Sequence, residues 1–368
     1  MMNNPEKQLL TEIGAISIPA LNKTLAELKS IQSLRLQNQT LILEIEIPTP
    51  AERFRNQIEQ RINRLIANHQ AIQRLDLRFI LAVPSGKEAE GKQAVPGIKN
   101  IIAVSSGKGG VGKSTIAVNL AVSLAQWGAK VGLLDTDVYG PNVPIMVGVD
   151  QDPIVQGQKL VPHTAYSVKV MSIGFLNRGD KPVVWRGPML HTAVRQFLYD
   201  VLWGELDYLI VDMPPGTGDA QLSLAQLVPV QGAIVVTTPQ EVSMSDVRKA
   251  INMFEQVHIP ILGVVENMSY FMCNKCAEKH YIFGTGGGEE LARKFNIKLL
   301  GQVPLATNVR EGGDAGLPVV VGDKGSPQAT ALTEIAENVA MEIVVKSLSE
   351  SRLPVINLGD SRGDSFSV

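Results

Sequence analysis

Between the apolar run Ile101-Ile102-Ala103-Val104 and a helical pattern that begins at Thr115 lies the decapeptide Ser106-Gly107-Lys108-Gly109-Gly110-Val111-Gly112-Lys113-Ser114-Thr115. The order strand, glycine loop, helix leaves few folds open. Glycines at 107, 109, 110 and 112 free the backbone to curl with its N–H groups turned inward. The N-terminal end of the helix adds a partial positive charge, so the loop can wrap a polyphosphate. Lys113 supplies a point charge at the β and γ oxygens, and the Ser114 hydroxyl can ligate Mg²⁺. Gly107 to Ser114 fit the phosphate-loop pattern at every required position. A second lysine, Lys108, follows the first glycine, where an ordinary phosphate loop needs no cation.

From Ile98 to about Ser347 strand and helix patterns alternate, which argues for an α/β fold: a mostly parallel sheet with helices on both faces. Beyond the run at 101–104, strands are expected at 131–134, 168–173, 208–211, 233–237, 261–265 and 299–303, and an amphipathic helix at 329–345. Residues 1–82 read as a separate small α+β domain. Helices are expected at 6–13, at 22–28 with Asn22 as cap, and from Pro50 onward, where Phe54, Ile58, Ile62, Leu65 and Ile66 share a face. Leu34 and Leu36, then Leu41, Leu43, Ile45 and Ile47, alternate as two strands about an Asn38-Gln39 reversal, and Leu75, Leu77 and Phe79 form a third. Residues 83–97, polar and broken by Gly and Pro, read as a flexible linker, and 348–368 as a frayed tail.

Composition narrows the function. With 368 residues and a net charge of −2, there is length for two domains but no electrostatic case for a nucleic-acid or anionic membrane partner. No apolar run reaches the roughly 20 residues that span a bilayer. The N-terminal MMNNPEKQLL lacks a signal-peptide layout, so a cytoplasmic protein is expected.

Three further stretches carry chemistry. Asp135 and Asp137 stand at the carboxyl end of the strand at 131–134, where ligands of open α/β sheets gather. Asp212 ends the apolar run Leu209-Ile210-Val211 and is followed by Met213-Pro214-Pro215-Gly216-Thr217-Gly218-Asp219. A strand-end aspartate there is placed to hold Mg²⁺, and Gly216 can offer its N–H to a γ-phosphate. The chain's two cysteines, Cys273 and Cys276, are two residues apart. Such a pair binds one edge of a metal or cluster, whereas a closed site takes four ligands, so two copies meeting at an axis would complete it. A redox disulfide is the weaker reading, since no thioredoxin-like context surrounds the pair. The run Gly284-Thr285-Gly286-Gly287-Gly288 reads as a flexible lead into a helix at 289–295.

The phosphate loop with its extra Lys108 resembles the deviant loop of a dimeric ATPase group. That group includes the nitrogenase iron protein, septum-site and chromosome-partition ATPases, and the Mrp/ApbC iron–sulfur carriers. Asp-Thr-Asp-Val-Tyr-Gly-Pro-Asn at 135–142 and Glu-Asn-Met-Ser-Tyr-Phe-x-Cys-x-x-Cys at 266–276 resemble the Mrp/ApbC family specifically, and the order of elements in 1–82 resembles its MIP18-like N-terminal domain. The resemblance implies a homodimer in which Lys108 reaches the partner's nucleotide. Asp137 would orient or deprotonate the attacking water with Asp135 in support, Asn267 would hydrogen-bond the adenine, and Pro304 would pack on the base. The paired cysteines would bridge a [4Fe–4S] cluster destined for apo-proteins and received from cluster donors. No second glutamate or arginine finger is evident, so catalysis would rest on Lys113, Mg²⁺ and the partner's Lys108, and be slow. The competing expectations are a positioning ATPase resembling MinD and a zinc-bridged ATPase regulator.

Overall fold

The apolar runs of the second domain pair side by side in one parallel sheet. The structure, a computed structural model, describes residues 4–86, 92–176, 187–273 and 275–350. Across the sheet the strands run Val168–Ser172, Val131–Asp135, Tyr208–Asp212, Ile101–Ser106, Gly232–Thr237, Ile261–Met272, Leu299–Leu305, each parallel to its neighbours. His163–Ala165 lies antiparallel along one edge, and Lys279–His280 pairs antiparallel with the far end of Ile261–Met272. Ile101–Ser106 is the first of these strands in sequence yet sits mid-sheet, and the chain goes to one side of it before the other. It therefore ends at the topological switch point, where a crevice opens for ligand.

Side-chain alternation places the core. Ile102 and Val104 face the helices Lys113–Gln126 and Pro327–Glu350, while Ile101 and Ala103 face Gly187–Tyr199, Asp219–Leu227 and Glu241–Gln256. Both faces are covered, so these strands read as continuous apolar runs rather than alternating ones.

The N-terminal unit keeps the expected first and last helices and three strands in order. Helices Asn4–Gly14 and Glu52–Ile66 accompany a sheet in which Thr40–Ile47 pairs antiparallel with Ile31–Gln37 and parallel with Arg74–Leu81. Leu41, Leu43, Ile45 and Ile47 are all fully buried beneath Phe54, Ile58 and Ile62. Asn38 and Gln39 both take positive φ, 48° and 62°, as a two-residue reversal whose twist matches the strands requires.

The helix expected at 22–28 is absent. Asn22 sits in the left-handed region at φ 48°, and Lys23–Thr24 pairs instead with Ser17–Ile18. Thr24 then opens a single turn. Its N–H donates to Glu27 Oε2 (2.7 Å), the Glu27 N–H donates to Thr24 Oγ1 (3.2 Å), and Lys29 at φ 54° ends the turn. Here the reciprocal cap of Thr24 and Glu27 prevailed over the apparent Asn22 cap.

The two units are joined by more than the intervening segment. Val344 of the last helix belongs to the N-terminal core. The Arg53 N–H donates to Glu337 Oε1 (2.8 Å), and Arg55 Nη2 to the carbonyl of Trp127 (2.7 Å), which caps the phosphate-loop helix. Val83 and Val95, in the segment read as a linker, are buried, and Asn100 Nδ2 donates to the Pro84 carbonyl (2.9 Å). Residues 87–91 lie outside the described residues. The last helix is longer than expected, Pro327–Glu350, and most of the segment read as a tail, 351–368, is outside the described residues.

Candidate nucleotide site and cysteine ribbon

At the end of Ile101–Ser106 the phosphate loop turns into the helix Lys113–Gln126, with Gly112 as its N-cap at φ 83°. Two glycines here are set by neighbours as much as by conformation. A Cβ on Gly112 would lie 2.2 Å from Asn267 Nδ2, and one on Gly107 would lie 2.3 Å from the Asp246 carbonyl carbon. Gly110, at φ 79°, has open space around it and is needed for its backbone alone.

Lys113 is buried and lies between two carboxylates. Its Nζ donates to Asp212 Oδ1 at 2.5 Å, stands 3.7 Å from Asp137 Oδ2, and is 3.3 Å from the Ser114 hydroxyl. Burial pushes the Asp212 carboxyl up, against the pull of Lys113 and Ser114. Its Oδ2 is buried without a hydrogen-bond partner. A buried carboxylate oxygen without a donor, beside a serine hydroxyl, offers the hard oxygen ligands that a small divalent cation takes, so Ser114 and Asp212 fit Mg²⁺.

Asp137 and Asp135 have different tasks. Asp137 lines the cavity, and its Oδ1 accepts from the N–H groups of Tyr139 (3.1 Å) and Gly140 (3.3 Å). Asp135 is turned into the protein. Its Oδ1 accepts the Asp137 N–H (3.0 Å), and its Oδ2 accepts the Ser172 hydroxyl (2.9 Å) and the Val143 N–H (3.4 Å). Burial first, and the Asp212 charge second, push the Asp135 carboxyl up to about 8. The sequence aims both carboxylates at the phosphates; in the structure Asp135 shapes the loop that carries Asp137.

The segment after Asp212 is pinned. Gly216, at φ 92°, donates its N–H to the Ser106 carbonyl (2.8 Å), and Gln221 Nε2 donates to the carbonyls of Pro214 (2.7 Å) and Gly216 (3.0 Å). The N–H expected at a γ-phosphate is thus committed to the phosphate-loop strand.

These elements bound a cavity of about 530 Å³, within the roughly 300–1,000 Å³ of small-molecule sites. Lys108, Lys113, Ser114, Thr115, Asp137, Asn267 and Pro304 all reach it. Asn267 Nδ2 donates to the Val111 carbonyl (2.8 Å), so this amide ties the strand end to the phosphate loop and leaves its own carbonyl oxygen as acceptor. The sequence reading missed the opposite wall: Met268 on the same strand, and Val309 and Arg310 on the helix Thr307–Asp314. Gly312 and Gly313 within that helix hide its periodicity.

The cysteines lie on a ribbon at the far end of Ile261–Met272, a strand longer than expected. Phe271 pairs with His280 and Met272 with Lys279; the Cys273 N–H donates to the Glu278 carbonyl (2.9 Å), and the Ala277 N–H to the Cys273 carbonyl (2.8 Å). Both thiols are free, and Cys276 is exposed. Hydrogen bonds from the backbone N–H groups of Lys275 and then Cys276, with the Cys276 side chain, hold the Cys273 thiol below its ordinary range. N–H groups directed at sulfur favour the thiolate, the form that ligates metal. Among the described residues no group of three or more His, Cys, Asp or Glu side chains could hold a metal ion.

Residues 97–340 match a family model described as ParA, the NUBPL iron-transfer P-loop NTPase. The iron–sulfur cluster carrier protein of Synechocystis is 46% identical over 92% of this chain and 98% of its own length. That of Haemophilus influenzae is 44% identical over 92% of each. Among solved structures, a nucleotide-binding protein of Archaeoglobus fulgidus in complex with ADP aligns with TM-score 0.54 at 44% identity, covering 60% of this chain and 88% of that one.

Proposed function

The chain belongs to the family of NUBPL-type iron-transfer P-loop NTPases, and from that premise we propose that it is an ATP-hydrolysing iron–sulfur cluster carrier that works as a homodimer. The cargo is a [4Fe–4S] cluster, bridged by Cys273 and Cys276 of both copies and passed to apo-proteins. One observation carries the reading: a pair of free thiols, one held toward thiolate by backbone N–H groups, stands just beyond the end of the strand whose Asn267 is bonded to the phosphate loop. No helix among the described residues is long and apolar enough to cross a membrane.

The reaction asks little covalent chemistry of the protein and much positioning. The Gly107–Ser114 loop presents N–H groups to the phosphates, and Lys113 exchanges its contacts with Asp212 and Asp137 for the β and γ oxygens. Ser114 and Asp212 would hold Mg²⁺, which would supply charge neutralisation for the phosphate groups. Asp137, its other oxygen fixed by Tyr139 and Gly140, is left to orient or deprotonate the attacking water. The partner's Lys108 adds a second cation at the phosphates. Gly216 must leave the Ser106 carbonyl to meet a γ-phosphate, so its two hydrogen-bonded arrangements give ATP and ADP a differential contact through which to bias the dimer.

The test is transfer. Protein loaded under anaerobic conditions should restore activity to an apo-enzyme that needs a [4Fe–4S] cluster, while the Cys273→Ala protein should not. Equal restoration by wild type and variant would overturn the assignment.

A further inference from the structure

The chain runs out to the cysteine ribbon past Met268 and comes back to the sheet's flank at the helix Gly287–Phe295, and one buried side chain ties the base of that excursion together. Glu266 is fully buried. Its Oε1 accepts the Ser269 hydroxyl (2.5 Å) on the outgoing side and Gln302 Nε2 (2.9 Å) from the neighbouring strand. Its Oε2 accepts the N–H of Gly288 (2.6 Å), in the first turn of the helix Gly287–Phe295 on the returning side. A Cβ on Gly288 would stand 2.9 Å from Glu266 Cβ, and one on Gly287 would stand 2.6 Å from Met244 Sδ. The glycine run read as a flexible lead is at 287 and 288 a packing surface.

The sheet register breaks at the same place. Asn267 is opposite Val303, the next pair is Phe271 with Leu305, and Met268 takes φ 54°. On the other side of Glu266 lies the nucleotide site, since Asn267 holds the Val111 carbonyl and Met268 lines the cavity. Glu266 therefore sits where a displacement of the phosphate loop, carried by Asn267, must either be absorbed by the irregular backbone at 268–270 or passed to both ends of the ribbon.

We propose that Glu266 is a positioning residue that passes the nucleotide state to Cys273 and Cys276 by clamping both ends of the ribbon to the strand bonded to the phosphate loop. This rests on the reading of the ribbon as the cargo site. The clamp needs a carboxylate. Ser269, Gln302 and Gly288 all donate to it, and a glutamine of the same shape would turn its NH₂ toward one of these donors and leave that side of the clamp open.

The test uses the full-length, cluster-free protein and compares the rate at which iodoacetamide alkylates Cys273 and Cys276 with and without Mg²⁺ and a non-hydrolysable ATP analogue. In the wild type the analogue should change the rate by at least about fivefold, a typical coupling between two sites. In Glu266→Gln the analogue should still bind, within about threefold of wild type, while the rate ratio collapses to about one. Ser269→Ala, which frees only the outgoing side, should lower the ratio partway. A folded Glu266→Gln protein that keeps the wild-type ratio overturns the proposal, as does a wild-type ratio of one. Should circular dichroism show Glu266→Gln unfolded, an unchanged ratio in Ser269→Ala overturns it equally. Because no iron is present, failure of the chain to hold a cluster would sink the carrier reading and leave this comparison standing.

Discussion

The nucleotide site and the cysteine ribbon lie along one strand and are built on opposite principles. Around Lys113, carboxylates from two other strand ends converge in a buried, interlocked centre: Lys113 bonds Asp212, whose carbonyl accepts from the Thr136 N–H and hydroxyl, and Asp135 accepts the Asp137 N–H. Around Cys273, a two-residue strand pairing supports two free thiols, of which Cys276 is exposed. On this geometry, changes at the first site should cost stability, and changes at the second should not. A carrier needs this division, because the cargo must leave while the switch stays assembled.

The largest effect that can test this contrast is at Lys113. Lys113→Ala should reduce ATP hydrolysis at least about a hundredfold, the scale of losing one preorganised transition-state donor. Because it leaves Asp212 buried without its cation, it should also lower the unfolding free energy by roughly 3–5 kcal/mol in urea titrations. Cys273→Ala should abolish bound iron and sulfide while changing stability by no more than about 0.5 kcal/mol. If it destabilised the fold as much as Lys113→Ala, the division would be wrong.

pH separates the regions further. Burial and the Asp212 charge raise the Asp135 carboxyl from an ordinary value of 3.8 to about 8. The native state should thus keep a proton that the unfolded chain has released. That contribution is fully present below the unfolded value and is lost as pH rises through the native one. Relative to Asp135→Asn, the wild type should lose about 2 kcal/mol of unfolding free energy between pH 6 and pH 8. Equal pH profiles for the two proteins would place the proton elsewhere. The smallest test compares two glycines of the phosphate loop. Gly107→Ala meets the backbone of Asp246 and Val247 and should cost about 1–3 kcal/mol. Gly109→Ala, whose nearest neighbour is Pro215 Cγ at 3.9 Å, should change stability by less than about 0.5 kcal/mol. Thermal denaturation of the pair checks both.

The two regions also differ in how far the sequence discloses them. The phosphate loop was legible because glycine spacing, lysine and flanking apolar run are all local, and so were the strand-end aspartates. What Asp135 does was not, because its partners Ser172 and Val143 come from other segments and only the assembled sheet shows the carboxylate turned inward. The thiol pair itself was legible because it holds the chain's two cysteines two residues apart. The clamp at its base was not, since Glu266, Gln302 and Gly288 are joined by tertiary contact without a spacing signature. At the N-terminal end, strand alternation and the Asn38-Gln39 reversal held, whereas the helix placed at 22–28 failed because the Thr24 and Glu27 side chains closed a single turn.

The central claim is that two copies each supply half of the cargo site. Anaerobically reconstituted protein, examined by sedimentation with iron, sulfide and zinc measured in the same fractions, tests it directly. The account predicts a dimer with about four iron and four sulfide per two chains, and no cluster on Cys273→Ala. Iron and sulfide sedimenting with single chains, or zinc in their place on the dimer, would contradict it.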